Sequence, residues 1–204
     1  MPSLTALSEW RRGASPDTDT VSKVDVGGVL YTEYDYTQTP AARISEPITV
    51  SNKSYQAGTV FDGVLIDGIE SYCPAHYSLG DTYPCLSDSD NDGSFDRTLN
   101  LSSVMGGWTP LTSGVGYEST VSTSGTEKGF KIELLYQGIV GTGISVSYRE
   151  YKDDMARPAF TQDVKYEMDG NGGALIGFKG SRIEVIKATN VDIMYRVKKG
   201  LTKQ

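Results

Sequence analysis

The sequence predicts an all-β protein: an antiparallel meander closed as a sandwich or barrel and interrupted by one long loop. Three observations lead there. Gly 23 and Tyr 13 stand among many Thr, Ser and Val in 204 residues, and β-branched and aromatic side chains pack well on a pleated surface. Apolar residues recur at every second position in several stretches, and no 3.6-residue helical stripe of any length occurs. Helices, if any, are short and fall in the lead-in or near Leu101 to Met105.

Residues 1–22 are polar, rich in Pro, Ser, Thr and Asp, and lack an apolar period, so they read as a flexible lead-in outside the fold. From Val26, "VGGVLYTEYDYTQ" alternates Leu30, Thr32, Tyr34 and Tyr36 against Val29, Tyr31, Glu33 and Asp35, which is strand spacing. Short strands with tight turns follow at Ile48–Val50 and in "TVFDGVLIDGI". Residues 72–107 break the rhythm and read as one long excursion from the sheet, of the kind that is functional or stapled. A Gly, Ser and Thr-rich linker at 113–129 closes an N-terminal β region, 23–112. Six strands in meander order then account for 130–198, with "DGNGG" and "ATN" as hairpin signals, and 199–204 is a tail.

Lys plus Arg is 19 against 26 Asp plus Glu, a net charge of −7. That balance excludes phosphate-backbone binding as the main activity, because nucleic-acid binders carry a concentrated basic face. No apolar run approaches the ~20 residues of a membrane-spanning helix. The first twenty residues carry no apolar core of a signal peptide, so an exported form is expected to have lost or replaced its signal.

Cys73 and Cys85 bracket about a dozen residues, and a bridge there would constrain the unfolded chain by roughly 3 kcal/mol. Free thiols are the cytosolic alternative. Zinc is a third, since "CPAH" sets Cys73 and His76 at ligand spacing with Cys85 nearby, but a structural site wants four ligands and the sequence offers no fourth. The disulfide is the expectation.

"CLSDSDNDGSFDR", residues 85–97, carries the sharpest signal. Asp88, Asp90 and Asp92 alternate, Gly93 follows where a sharp turn is needed, and Phe95 offers an apolar anchor. Like charges so close repel, and either a hydrated acidic turn or a bound cation can accommodate them; the alternate spacing with Gly93 and Phe95 favours Ca2+, which takes 6–8 oxygens from carboxylates, carbonyls and water. The expected ligands are Asp88, Asp90, Asp92, the Ser94 carbonyl and Asp96. The spacing resembles the calcium loops of EF-hands, dockerins and thrombospondin type 3 repeats over these nine residues. At the twelfth position, where an EF-hand carries a Glu and a dockerin an Asp, this sequence has Leu99, so another group must close the shell, as neighbouring segments do in thrombospondin-type loops, with Asp81, Asp62 or Asp67 as candidates.

Catalytic motifs are sparse. His76 is the single histidine, which removes most triads, and neither GxSxG nor HExxH occurs. "YREYKDDMARPAF" is the densest charged patch outside the loop. It reads as a hairpin held by ion pairs, or as a carbohydrate or carboxylate subsite using Arg149, Glu150 or Arg157. The pieces "SYREY", "ARPAFTQD" and "GFKGSRIEVI" resemble a C-terminal region of exported proteins and lipoproteins of proteobacteria. "YQAGTVFDGVL" with the cysteine pair and acidic run resembles its partner region, so the likeness covers most of 28–198. It implies a periplasmic, cell-surface or secreted location and brings no activity with it. The expected function is a non-catalytic calcium-binding β protein with a structural or ligand-binding role, its partner a carbohydrate or an envelope protein. The alternative is a carbohydrate-active enzyme using an acidic pair near the loop.

Overall fold

The computed structural model describes residues 3–74, 83–101, 107–125, 129–152 and 158–201. Strands make up 70% of the protein and no helix occurs among the described residues, so the all-β class holds. In chain order the strands are β1 (Leu4–Ala6), β2 (Glu9–Ser15), β3 (Val21–Asp25), β4 (Val29–Ile44), β5 (Ile48–Val50) and β6 (Lys53–Tyr55). Then come β7 (Val60–Ile66), β8 (Ile69–Pro74), β9 (Pro84–Ser87), β10 (Ser94–Asn100) and β11 (Thr109–Gly125). The last six are β12 (Phe130–Val140), β13 (Gly143–Lys152), β14 (Phe160–Glu167), β15 (Ala174–Ile176), β16 (Arg182–Ala188) and β17 (Asp192–Lys199).

The chain divides into two compact units, each made of two stretches: Met1–Trp10 with Thr37–Ser124, and Arg11–Tyr36 with Gly125–Gln204. The serial division at 112 and 129 is therefore replaced by an interleaved one. Among the described residues, both the lead-in and the linker contribute strands to the sheets. β1, β2 and β3 all pair with later strands, and 113–125 belong to the 17-residue strand β11. These segments escape an apolar-period test because they face solvent: every residue of β1 is exposed. Ladder hydrogen bonds are made by backbone, which any composition supplies.

In the unit containing residues 37–124, neighbouring strands run β1-β7-β8-β9-β10-β11, with β4 beside β11. β4 also pairs with β7 through Ala41–Asp62, Ala42–Phe61 and Arg43–Val60, which partly closes a ring. Asp67 and Gly68, both at positive φ, make the two-residue turn from β7 to β8, the backbone such hairpins require. Strand alternation gives this sheet two apolar faces. Phe61, Tyr72, Leu86 and Phe95 belong to one cluster with Ile44 and Val115, while Ile66, Cys73, Cys85 and Leu99 form another. The described residues of 72–107 are thus no excursion: β8, β9 and β10 carry 72–74, 84–87 and 94–100 through the sheet, and a six-residue connection, 88–93, joins β9 to β10.

In the other unit, β12, β13 and β14 form the expected meander beside β4, and β15, β16 and β17 form a second sheet completed by β3. The six expected strands are present. "DGNGG", however, is a crossing between sheets, where the Asp169 carboxylate accepts the N–H groups of Asn171 and Gly173. "ATN" is the hairpin from β16 to β17, tied by Thr189 to Asp192. One core joins Leu30, Leu134, Tyr136, Ile144 and Val146 from the first sheet to Ile176, Ile183, Ile193, Tyr195 and Val197 from the second.

Candidate metal centre

The acidic stretch is the loop of the β9–β10 hairpin. Its base is set by pairing of Arg97 with Ser87, Thr98 with Leu86 and Leu99 with Cys85. The Cys73–Cys85 disulfide, the expected pairing, links β8 to β9 with Cα atoms 4.3 Å apart. His76 and Asp81 lie outside the described residues. Leu99, at the twelfth loop position, is only 5% exposed and packs with Ile66, Cys73 and Cys85. It belongs to a strand in the core and is therefore in no position to offer a ligand.

Asp88, Asp90 and Asp92 converge as the spacing predicts: one carboxylate oxygen from each lies within 4.8 Å of the other two. Asn91 and Gly93, at φ 58° and 87°, turn the backbone between them. Asp88 is the fixed member. Its carboxylate accepts the N–H groups of Gly93 at 2.9 Å and Asp92 at 3.2 Å, and the Tyr117 hydroxyl at 3.1 Å. Burial pushes the Asp88 carboxyl upward, but these hydrogen bonds outweigh it and hold the group below the usual carboxylate value. Asp90 is raised instead, by the charge of Asp92 first, then by desolvation and Asp88. Asp92 accepts the Ser94 N–H at 2.8 Å. Three carboxylates converge, one of them held above its ordinary pKa by another's charge, and together they could hold a metal ion.

The remaining expected ligands are arranged differently. Asp96 accepts the Ser89 N–H at 3.1 Å and also the Ser89 hydroxyl, so it braces the loop across the hairpin, and its charge adds to the rise at Asp90. Ser94 begins β10 opposite Gly116. Asp62 sits in β7 opposite Cys73, and Asp67 accepts the Ser3 N–H at 2.7 Å, so neither joins the acidic group. Phe95 is fully buried, as an anchor should be, and stacks on Tyr117 at 4.2 Å.

Tyr117 is the residue sequence reasoning missed. It lies in the Gly/Ser/Thr stretch taken for a linker, and its role depends on β11 pairing with β10. Its hydroxyl is pushed up to about 12, by burial first and then by Asp88 and Glu70. Tyr72, whose ring centroid is 5.8 Å from that of Tyr117, donates to Glu70 at 2.6 Å.

Of the second charged patch, Arg157 lies outside the described residues. Glu150 forms an ion pair with Lys179 at 2.7 Å and accepts the Tyr148 hydroxyl. Lys179 also lies over the Tyr148 ring at 4.4 Å. Glu150 is thus held by a structural ion pair of its own unit, while Arg149 stands in β13 opposite Glu133 and Thr161.

Among known proteins, no family model, no curated protein and no solved structure matches this chain.

Proposed function

We propose that the protein is a non-catalytic calcium-binding β protein of an extracytoplasmic compartment, with the ion held by Asp88, Asp90 and Asp92. The observation that carries this reading is the convergence of those three carboxylates on a hairpin loop, with Asp88 fixed by Gly93, Asp92 and Tyr117. Aspartate oxygens favour hard divalent cations over thiolate-seeking ones. Asp88 is partly buried but Asp90 and Asp92 are exposed, which leaves room for water to complete a calcium shell, where magnesium demands a stricter octahedron. The ion offsets the repulsion among the three charges and fixes the β9–β10 loop. Millimolar calcium and persistent disulfides are both found outside the cytoplasm, and the Cys73–Cys85 bridge at the base of the same hairpin supports that location.

Thermal unfolding tests the reading. Calcium at 100 times its Kd should stabilise the fold by about 2.7 kcal/mol and raise the Tm, with chelator reversing the shift. In Asp90→Ala calcium and chelator should give the same Tm. A wild-type Tm indifferent to calcium sinks the proposal.

A further inference from the structure

We propose that β14 is a docking edge for a second copy of this chain, the two copies pairing antiparallel about a two-fold axis at Val164. β14 ends its sheet: it pairs with β13, and among the described residues no other strand pairs with its far edge. The strand's backbone shows which groups that edge presents. The N–H of Met168 donates to the Thr142 carbonyl at 2.8 Å, and the register with β13 runs unbroken from Gly143–Glu167 to Glu150–Phe160. Hydrogen bonding alternates along an antiparallel strand, so Gln162, Val164 and Tyr166 turn their backbone groups towards β13. Thr161, Asp163, Lys165 and Glu167 turn theirs outward, and all four are exposed.

Charge complementarity selects the second copy as the occupant. A two-fold axis at Val164 sets Asp163 of each copy opposite Lys165 of the other, and Thr161 opposite Glu167. These are the residues whose backbone groups face outward, so the hydrogen-bonded positions of the new ladder carry its complementary charges. Neither Asp163 nor Lys165 has an ion-pair partner among the described residues of its own chain. Opposite charges directly across a ladder stabilise it, and like charges do the reverse. Moving the axis by one residue sets Asp163 against itself, or Lys165 against itself and Asp163 against Glu167. Charges on an edge strand ordinarily deter pairing, and here their order deters the adjacent registers while favouring this one. On the other face of the strand, Phe160, 46% exposed, comes opposite Met168 of the second copy and gains apolar cover.

Sedimentation equilibrium of the full chain tests this, from about 10 µM to about 1 mM protein in about 0.15 M salt, which screens the net charge of −7 on each copy. The wild type should fit a monomer–dimer equilibrium with no higher species, because a two-fold contact closes on itself. Asp163→Lys and Lys165→Asp should each raise the dimer Kd roughly tenfold or more, since each sets two like-charged pairs across the axis. Mixed in equal amounts, the two variants should associate with a Kd near that of the wild type, because each then presents the sign the other lacks. Amide exchange of the wild type needs no variant: Thr161, Asp163, Lys165 and Glu167 should exchange more slowly at the high concentration than at the low one. The proposal is overturned by a wild type that stays monomeric throughout, by a dimer whose Kd neither variant moves, or by a dimer that leaves those four amides unprotected.

Discussion

Asp88 and Asp90 stand two positions apart and titrate in opposite directions, and the pH behaviour of the loop follows from that contrast. Asp88 lies below its ordinary value, through hydrogen bonds that overcome its burial, so its contribution to stability is present above about pH 4 and lost as pH falls through the folded value. Asp90 lies above its ordinary value because of Asp92, so without metal the folded state gains from its protonation and loses that gain as pH rises through the raised value. A cation reverses the second effect, since it needs Asp90 ionised. Calcium affinity should therefore rise with pH through the carboxylate range and level off once Asp90 is ionised, near neutral pH. Calcium titrations across roughly pH 4 to 7 check this, and an affinity that is flat over that range, or that falls as pH rises, contradicts the assignment of Asp90. The alternation of Asp88, Asp90 and Asp92 was fully legible in the sequence because ligand spacing is a local property. Tyr117 was not, because its contact with Asp88 spans 29 positions and depends on strand pairing.

The β9–β10 hairpin explains at the level of the element why the loop departs from the twelve-residue calcium pattern. After Ser94 the chain is strand, and Leu99 lies inside the sheet opposite Cys85. Restoring an acid at the twelfth position should therefore fail. Leu99→Asp is expected to destabilise the protein by about 3 kcal/mol or more without tightening calcium binding, because it buries a carboxylate among Ile66, Cys73 and Cys85. Denaturant unfolding and calcium titration of that variant read the two effects separately. Reducing the Cys73–Cys85 bridge should cost about 3 kcal/mol, the loop-closure entropy of the intervening segment. Chemical denaturation with and without reductant measures it. The bridge itself was readable from cysteine spacing, whereas the strands flanking it were hidden by the Tyr, Pro and Gly between the cysteines.

At the scale of the whole molecule, the strands with one buried face were legible and those without one were not. β12 and β13 bury Leu134, Tyr136, Ile144 and Val146 on alternate positions, and their period is plain. β1, β2 and most of β11 are solvent-facing and held by ladder hydrogen bonds, so polar composition concealed them. The interleaving of the two units has the same origin: pairing of residues 4–6 with β7 and of 21–25 with β17 is long-range, and no local pattern announces it. The acidic loop belongs wholly to one unit, and its predicted chemistry needs only residues of that unit. Isothermal titration calorimetry with calcium tests the central claim most directly. The account predicts one ion per chain, with binding lost in both Asp88→Asn and Asp90→Asn. No saturable heat in the wild type, or affinity unchanged in those two variants, would contradict it.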